Sequence, residues 1–267
     1  MTDLWSGTYK EPAVWADVAE ALISSAGLHA GMRVLDLGSA NGETLFRALD
    51  RVGASGSVVG IEVEADWAEW LQKEIAKREI PNAENHRMDG RSMTFADESF
   101  DAVILGMVGL DDDYDPDEET IIGGAPLLRE VHRVLKPGGA VCCSGWLRQQ
   151  DTEWMGELIR RYLPGCAKRG YFPMTEAGYT RLLGYAGFET IRTSAFERSY
   201  TFDDPTEWMA CVEYVWEEEL ARIKADPGVL RAFERDAFEL LAGHRDDDGK
   251  IAYMRPAILL SARKPLP

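Results

Sequence analysis

Val34-Leu35-Asp36-Leu37-Gly38-Ser39-Ala40-Asn41-Gly42 decides how the rest of the chain is read. An apolar run reaches an acid, a turn with glycine at both ends follows, and a helical pattern begins at Glu43. A short strand passing through such a turn into a helix opens a β-α-β unit. Glycine there takes backbone angles closed to other residues and lets a ligand lie against bare backbone. Open α/β sheets bind ligands at the carboxyl ends of their strands. A plain strand-to-helix turn has the same local pattern, so the flanking segments must decide.

Upstream, Val14, Val18 and Leu22 recur at helical spacing with Trp15, Ala19 and Ile23 inside residues 11–28, and Gly27 is a stop. Downstream, β-branched and apolar runs predict strands over 57–63, 85–88, 100–107 and 140–146, with helices over 43–51, 65–78 and 126–135 between them. Lys136-Pro137-Gly138-Gly139 reads as a hard stop before the fifth strand. Beyond it the pattern predicts helices over 153–163, 175–186, 205–224 and 227–242, and strands over 189–195 and 257–262. Strands alternating with helices give a doubly wound α/β fold: a mostly parallel seven-stranded sheet, helices on both faces and a small helical cap. The expected division is an N-terminal helical segment over 1–30, a Rossmann-like core over 31–150, 175–200 and 250–267, and cap or acceptor-binding insertions over 151–174 and 201–249.

A chain of 267 residues with 45% hydrophobic and 28% charged residues has the composition of a globular domain, not a disordered one. No apolar run reaches the ~20 residues that cross a bilayer, and Met1-Thr2-Asp3-Leu4-Trp5 lacks the pattern of a signal peptide, so a cytoplasmic protein without membrane insertion is expected. The net charge of −17 argues against nucleic acid as a partner, since no basic stripe offsets it. Seven of the acids lie within 111–119. Cys142, Cys143, Cys166 and Cys211 form no C-x-x-C pair and read as buried free thiols. The four histidines are scattered, and no metal site is predicted. The oligomeric state stays open, a homodimer included.

The turn also speaks to the kind of ligand. A dinucleotide site wants G-x-G-x-x-G, so that pyrophosphate meets a helix N-terminus. From Gly38 this chain has G-S-A-N-G-E, and Glu43 at the helix start would oppose a diphosphate. A phosphate-free ligand with a positive centre meets no such conflict. The sulfonium and amino group of S-adenosylmethionine fit, with Asp36 as an acceptor for the amino end. Glu62 ends the second strand 24 residues after Gly38, where an acid can accept both ribose hydroxyls. NAD enzymes use an acid in that place as well, so the glycine pattern, not Glu62, separates the two nucleotides.

In order along the chain, VLDLGSANG (34–42), VVGIEVE (58–64), MDG (88–90), FDAVILGM (100–107), LLREVHRVLKPGGAV (127–141) and EAGYTRLLGYAGFETIRT (176–193) resemble the motifs of class I, Rossmann-like S-adenosylmethionine-dependent methyltransferases, in particular the small-molecule enzymes of the ubiquinone and menaquinone-biosynthesis type. The resemblance covers about residues 30–195 and the last strand. It implies S-adenosylmethionine as cofactor and S-adenosylhomocysteine as product. The implied cofactor contacts are Asp36, Gly38, Ser39, Ala40, Asn41 and Gly42 in the turn, Glu62 and Val63 at the ribose, Asp89 and Gly90 at the adenine, and Leu105 and Gly106 at the fourth strand. Ala40 and Asn41 depart from the usual residues of the motif, but both are small. The acidic segment 109–124 is longer than usual and has three readings: a solvated loop, a mobile lid, or a site for a cationic acceptor or metal.

Methyl transfer is an in-line displacement from a sulfonium whose leaving group is already good, so alignment can supply much of the rate. A base is needed only if the acceptor must lose a proton, and no histidine has a context that assigns one. By position, Met107 and Asp111 at the end of the fourth strand, Trp146 and Gln149 at the end of the fifth, and Trp208 in the cap are the acceptor-site candidates. Trp208, Tyr214 and Trp216 would form an aromatic wall or simply anchor the cap, and Trp5 and Tyr9 would fold over the cofactor or simply pack. Against a small-molecule methyltransferase stand a non-catalytic S-adenosylmethionine-binding or regulatory protein, an NAD-dependent oxidoreductase, and a metalloid-methylating enzyme without a thiol cluster.

Overall fold

Strands buried on both faces need apolar residues at successive positions, and four segments of this chain supply them. A computed structural model describes residues 4–8, 10, 12–110, 113–115, 118–165 and 174–267. The strands are β1 (Arg33–Leu37), β2 (Ser57–Glu62), β3 (Ala83–Arg87), β4 (Phe100–Leu105), β5 (Tyr114–Asp115), β6 (Thr120–Ile121), β7 (Leu135–Trp146), β8 (Glu189–Phe196), β9 (Ser199–Phe202), β10 (Ile251–Met254) and β11 (Ala257–Arg263). The helices are α1 (Ala13–Ser25), α2 (Glu43–Val52), α3 (Ala65–Lys77), α4 (Pro126–Val134), α5 (Gln150–Tyr162), α6 (Glu176–Tyr185), α7 (Pro205–Val212), α8 (Glu217–Lys224) and α9 (Pro227–Ala242). The chain divides into two units.

The larger unit comprises Ala16–Leu147, Met174–Phe196 and Ala257–Pro267. Its seven-stranded sheet has the order β3-β2-β1-β4-β7-β11-β8. β3, β2, β1, β4 and β7 run parallel, and β11 pairs antiparallel with β7 and β8. The mostly parallel seven-stranded sheet read from the sequence is present. β1 carries Leu35 and Leu37 into the same apolar cluster as Leu128 and Val131 of α4 and Leu182 of α6. The alternate residue, Asp36, turns to the other face, toward α2. After β3 the chain returns to the far side of β1 as β4, so the direction of strand addition reverses between those two strands.

α4 ends at Val134, ahead of Lys136-Pro137-Gly138-Gly139 as expected, but the strand that follows begins earlier than the expected 140. β7 starts at Leu135, opposite Phe100, and the register slips before Ala140 meets Ala102. The surplus residues are tied to the chain's last strand region, where Gly138 N–H donates to Lys264 O at 2.9 Å and Lys264 N–H to Gly139 O at 2.9 Å.

The smaller unit comprises Met1–Trp15, Arg148–Pro173 and Glu197–Pro256. Trp154, Leu158, Trp208, Phe233 and Leu241 share one apolar cluster there. The helix expected over 205–224 is broken into α7, a 3-10 turn at Glu213–Trp216, and α8. At this point the Trp216 indole lies on α5 where Gly156 has no side chain, and a Cβ there would stand 3.0 Å from it. β9 and β10 form an antiparallel pair that the sequence reading missed. Trp5 packs by stacking on Phe233, its Nε1 donates to Glu234 at 2.9 Å, and Lys224 Nζ lies 3.7 Å over its ring. Tyr9 and Cys166 lie outside the described residues.

Candidate functional site

The turn after β1 is built by three left-handed residues, Gly38 (φ 75°), Ala40 (φ 37°) and Gly42 (φ 79°). A Cβ on Gly38 would stand 2.6 Å from Val108 Cγ2, so the position needs glycine for space as well as for its angle. The N–H groups of the turn are already engaged. Gly38 and Ser39 both donate to Ile61 O, at 2.9 and 3.0 Å, and Gly42 donates to Ser39 O at 2.7 Å. Ala40 N–H donates to Glu62 Oε2 at 3.1 Å, and Glu43 N–H to Asn41 Oδ1 at 3.2 Å. The Glu43 carboxylate pairs with Arg47, one turn along α2.

Glu62 ends β2 nearly buried. Its Oε1 accepts from Val63 N–H at 2.7 Å and Glu64 N–H at 3.0 Å, while Oε2 takes the Ala40 N–H. Two carboxylate oxygens offer about four acceptor positions, so one is left. Glu62 lines a crevice of about 230 Å³. That is smaller than the roughly 300–1,000 Å³ of sites that engulf a drug-sized ligand.

Five residues singled out from the sequence line this crevice together: Gly38, Glu62, Val63, Asp89 and Gly90. Asp89 Oδ1 accepts from Arg91 N–H at 2.8 Å, which shapes the turn after β3. Leu37, Ile61, Met88 and Arg91, near the ends of β1 to β3, complete the lining with Val108, Gly109 and Leu127. Sequence reasoning missed these seven, although most stand within a few residues of a strand end it had identified.

Other expected contacts lie elsewhere. Asp36 is fully buried and is not among the crevice residues; strand alternation points it at α2, where Thr44 Oγ1 lies 2.7 Å from both its oxygens. Burial pushes its pKa up to about 7, Thr44 and the Leu45 N–H oppose that, and the nearby Glu62 charge adds to it. Ser39 is buried beneath the turn, and Ala40, Asn41 and Gly42 shape it without lining the crevice. Leu105 belongs to the core cluster, and Gly106 closes on α2, where a Cβ would meet Thr44 Cγ2 at 2.7 Å.

Of the acceptor-site candidates, Met107 has φ 56° and donates its N–H to Ser144 Oγ at 3.0 Å, and Trp146 is buried at the end of β7. Gln149 and Trp208 belong to the smaller unit. Trp208 is a core residue, wholly buried with its Nε1 donating to Asp151 O at 3.0 Å, and Trp216 is core as well, so of the aromatic wall only Tyr214 is exposed. Asp111 lies outside the described residues, as does part of the acidic segment. His132 packs edge-on against Phe188, and burial and then Lys264 lower its pKa, which suits a structural ring.

The smaller unit has a crevice of its own, of about 380 Å³, edged by Tyr200, Phe202 and Tyr253. Its charges are matched internally: Lys10 Nζ lies 3.2 Å from Glu207 and 3.4 Å from Asp203.

Sheet order and crevice together define a Rossmann-like α/β protein with a crevice at the carboxyl ends of its first strands. Residues 28–171, more than half of the chain, match the family described as a methyltransferase domain, and the chain belongs to that family. It is similar to an arsenite methyltransferase of Halobacterium salinarum, 27% identical over 177 residues that cover 66% of this chain and 42% of that protein. It is also similar to a demethylmenaquinone methyltransferase of Lactococcus lactis, 33% identical over 113 residues covering 42% of this chain and 41% of that one. The chain thus spans less than half the length of these two curated relatives. A solved protein of Bacillus halodurans shares the fold at TM-score 0.59 and 20% identity, over 94% of this chain and 99% of that one.

Proposed function

We propose that this chain transfers a methyl group from S-adenosylmethionine to a small organic acceptor by in-line displacement. One observation carries the choice of cofactor. The turn that would cradle a pyrophosphate in a dinucleotide protein has its N–H groups at Gly38, Ser39, Ala40, Gly42 and Glu43 bonded within the protein. Beside it, Glu62 keeps an acceptor position open to the crevice. Such a site suits a nucleoside with hydroxyls and a positive centre, and disfavours a diphosphate. In this reading Glu62 accepts one ribose hydroxyl at its remaining position rather than both, Val63 and Asp89 flank the base, and Gly38 lets the ligand approach bare backbone. The remaining chemistry is alignment of acceptor and sulfonium methyl, with no covalent enzyme intermediate.

The relatives act, by their names, on demethylmenaquinone and on arsenite. The chemistry of the three described cysteines, Cys142, Cys143 and Cys211, favours an organic acceptor over a metalloid. Burial pushes Cys142 up to about 12 and Cys211 up to about 11, and raises Cys143 further, so these thiols stay neutral and poorly suited to bind a metalloid.

Calorimetry with S-adenosylmethionine, S-adenosylhomocysteine and NADH tests the cofactor. The first two bind and NADH does not; heat from NADH alone, or from none of them, rejects the reading. Glu62→Gln weakens S-adenosylhomocysteine about 10- to 100-fold, the scale of a hydrogen bond to a charged group. Unaltered affinity removes Glu62 from the ribose.

A further inference from the structure

We propose that Asn85 is a positioning residue for the cofactor turn, acting through Ser39; the proposal rests on the S-adenosylmethionine reading above. β3 is an edge strand on which Asn85 is the single buried residue, and an amide in that place needs partners for both ends. It has them. Ser39 Oγ donates to Asn85 Oδ1 at 2.7 Å, Asn85 Nδ2 donates to Ala68 O of α3 at 3.1 Å, and Gln72 Nε2 donates to the Asn85 carbonyl at 2.9 Å.

The bond to Ser39 spans an intervening strand. β2 lies between β1 and β3, with Gly60 level with Asp36 on one side and Asn85 on the other. Gly60 has no side chain to block the crossing: a Cβ would stand 2.4 Å from Asn85 Oδ1 and 3.0 Å from Ser39 Cβ. A glycine on a buried strand costs stability, and here it opens the passage through which the third strand grips the turn after the first. Ser39 shares its peptide plane with the Ala40 N–H, which donates to Glu62 Oε2 at 3.1 Å, and Ala40 itself sits at a left-handed φ of 37°. Loosening Ser39 therefore lets Ala40 shift and weakens one of the three N–H contacts that orient Glu62 toward the ribose, the one at Oε2.

The test is a double-mutant cycle on S-adenosylhomocysteine affinity in the full chain, measured by calorimetry alongside melting temperature. Ser39→Ala and Asn85→Leu each weaken binding roughly five- to tenfold, the scale of one buried hydrogen bond, and the double variant is no weaker than the worse single. Ile75→Ala, buried on the same helix α3 but outside the network, lowers the melting temperature and leaves the dissociation constant alone. Affinity that stays at the wild-type value in Ser39→Ala, or falls additively in the pair, overturns the proposal. Should Asn85→Leu not fold, Ser39→Ala, a change of one atom, decides by itself. No binding by the wild type rejects the cofactor reading, whereas wild-type binding with indifferent variants rejects only the role of Asn85.

Discussion

Asp36 is a carboxyl group cut off from water, with one hydroxyl and one backbone N–H to hold it. Burial raises its pKa from 3.8 to about 7, so the folded protein holds this proton more tightly than the unfolded chain does. The stabilisation from that proton is complete below about pH 4 and is lost as pH rises through about 7. Asparagine keeps the shape and has no charge to bury. The margin by which Asp36→Asn outmelts the wild type is therefore small at about pH 4, already visible at about pH 5 and several degrees at about pH 8, followed by circular dichroism; a gap that ignores pH contradicts the burial argument. Gly38→Ala belongs to this scale too. It combines a φ of 75° with a 2.6 Å clash against Val108, and costs about 1–3 kcal/mol in chemical denaturation together with a weakened crevice. Ordinary stability there would mean that the turn is not held as described.

Among the elements, α5 depends on a buried ion pair. Asp151 in its first turn meets Arg255, just after β10, through Nε at 2.8 Å and a second contact from the guanidinium, with both side chains almost wholly buried. Removing one charge leaves the other desolvated without its counter-ion, which costs about 3–5 kcal/mol. Asp151→Ala loses that much in urea denaturation, and the Asp151→Leu/Arg255→Met double variant recovers most of it; a double variant as weak as the single refutes the charge explanation. Where an element obeys its local pattern, as α2, α3 and α9 do, the sequence located it within a residue or two. Where it depends on a distant partner, the reading failed. β9 and β10 stand about fifty positions apart with helices between them, so no turn signal announces their pairing. The helix over 205–224 is interrupted by a 3-10 turn at Glu213–Trp216, whose Trp216 packs against Gly156 on another helix, a contact no 3.6-residue period contains.

For the whole molecule, burial governs the thiols. Cys142, Cys143 and Cys211 are buried and unpaired, and their raised pKa values suppress the thiolate. Alkylation with iodoacetamide at about pH 8, read by peptide mass spectrometry, leaves these three unmodified in the native protein and modifies them fully in urea. Prompt native labelling of Cys142 or Cys143 would contradict the buried β7 strand and reopen a metalloid acceptor. The net charge of −17 acts at the same scale, setting a repulsive field toward polyanions without specifying the site.

Local order was legible from residue types alone: β-branched runs, glycine and proline punctuation and the period of apolar positions are short-range properties, and they were enough for the parallel sheet, the glycine turn and the acid at the end of the second strand. Direction was not. Whether a carboxylate at a strand end opens on the crevice, as Glu62 does, or is turned under a helix, as Asp36 is, depends on which face of the sheet its neighbours cover. The same holds for Trp208, an indole in the core, and for Asn85, which reaches Ser39 across a bare glycine. Those contacts join segments tens of residues apart, and only packing in three dimensions brings them within a hydrogen bond's length.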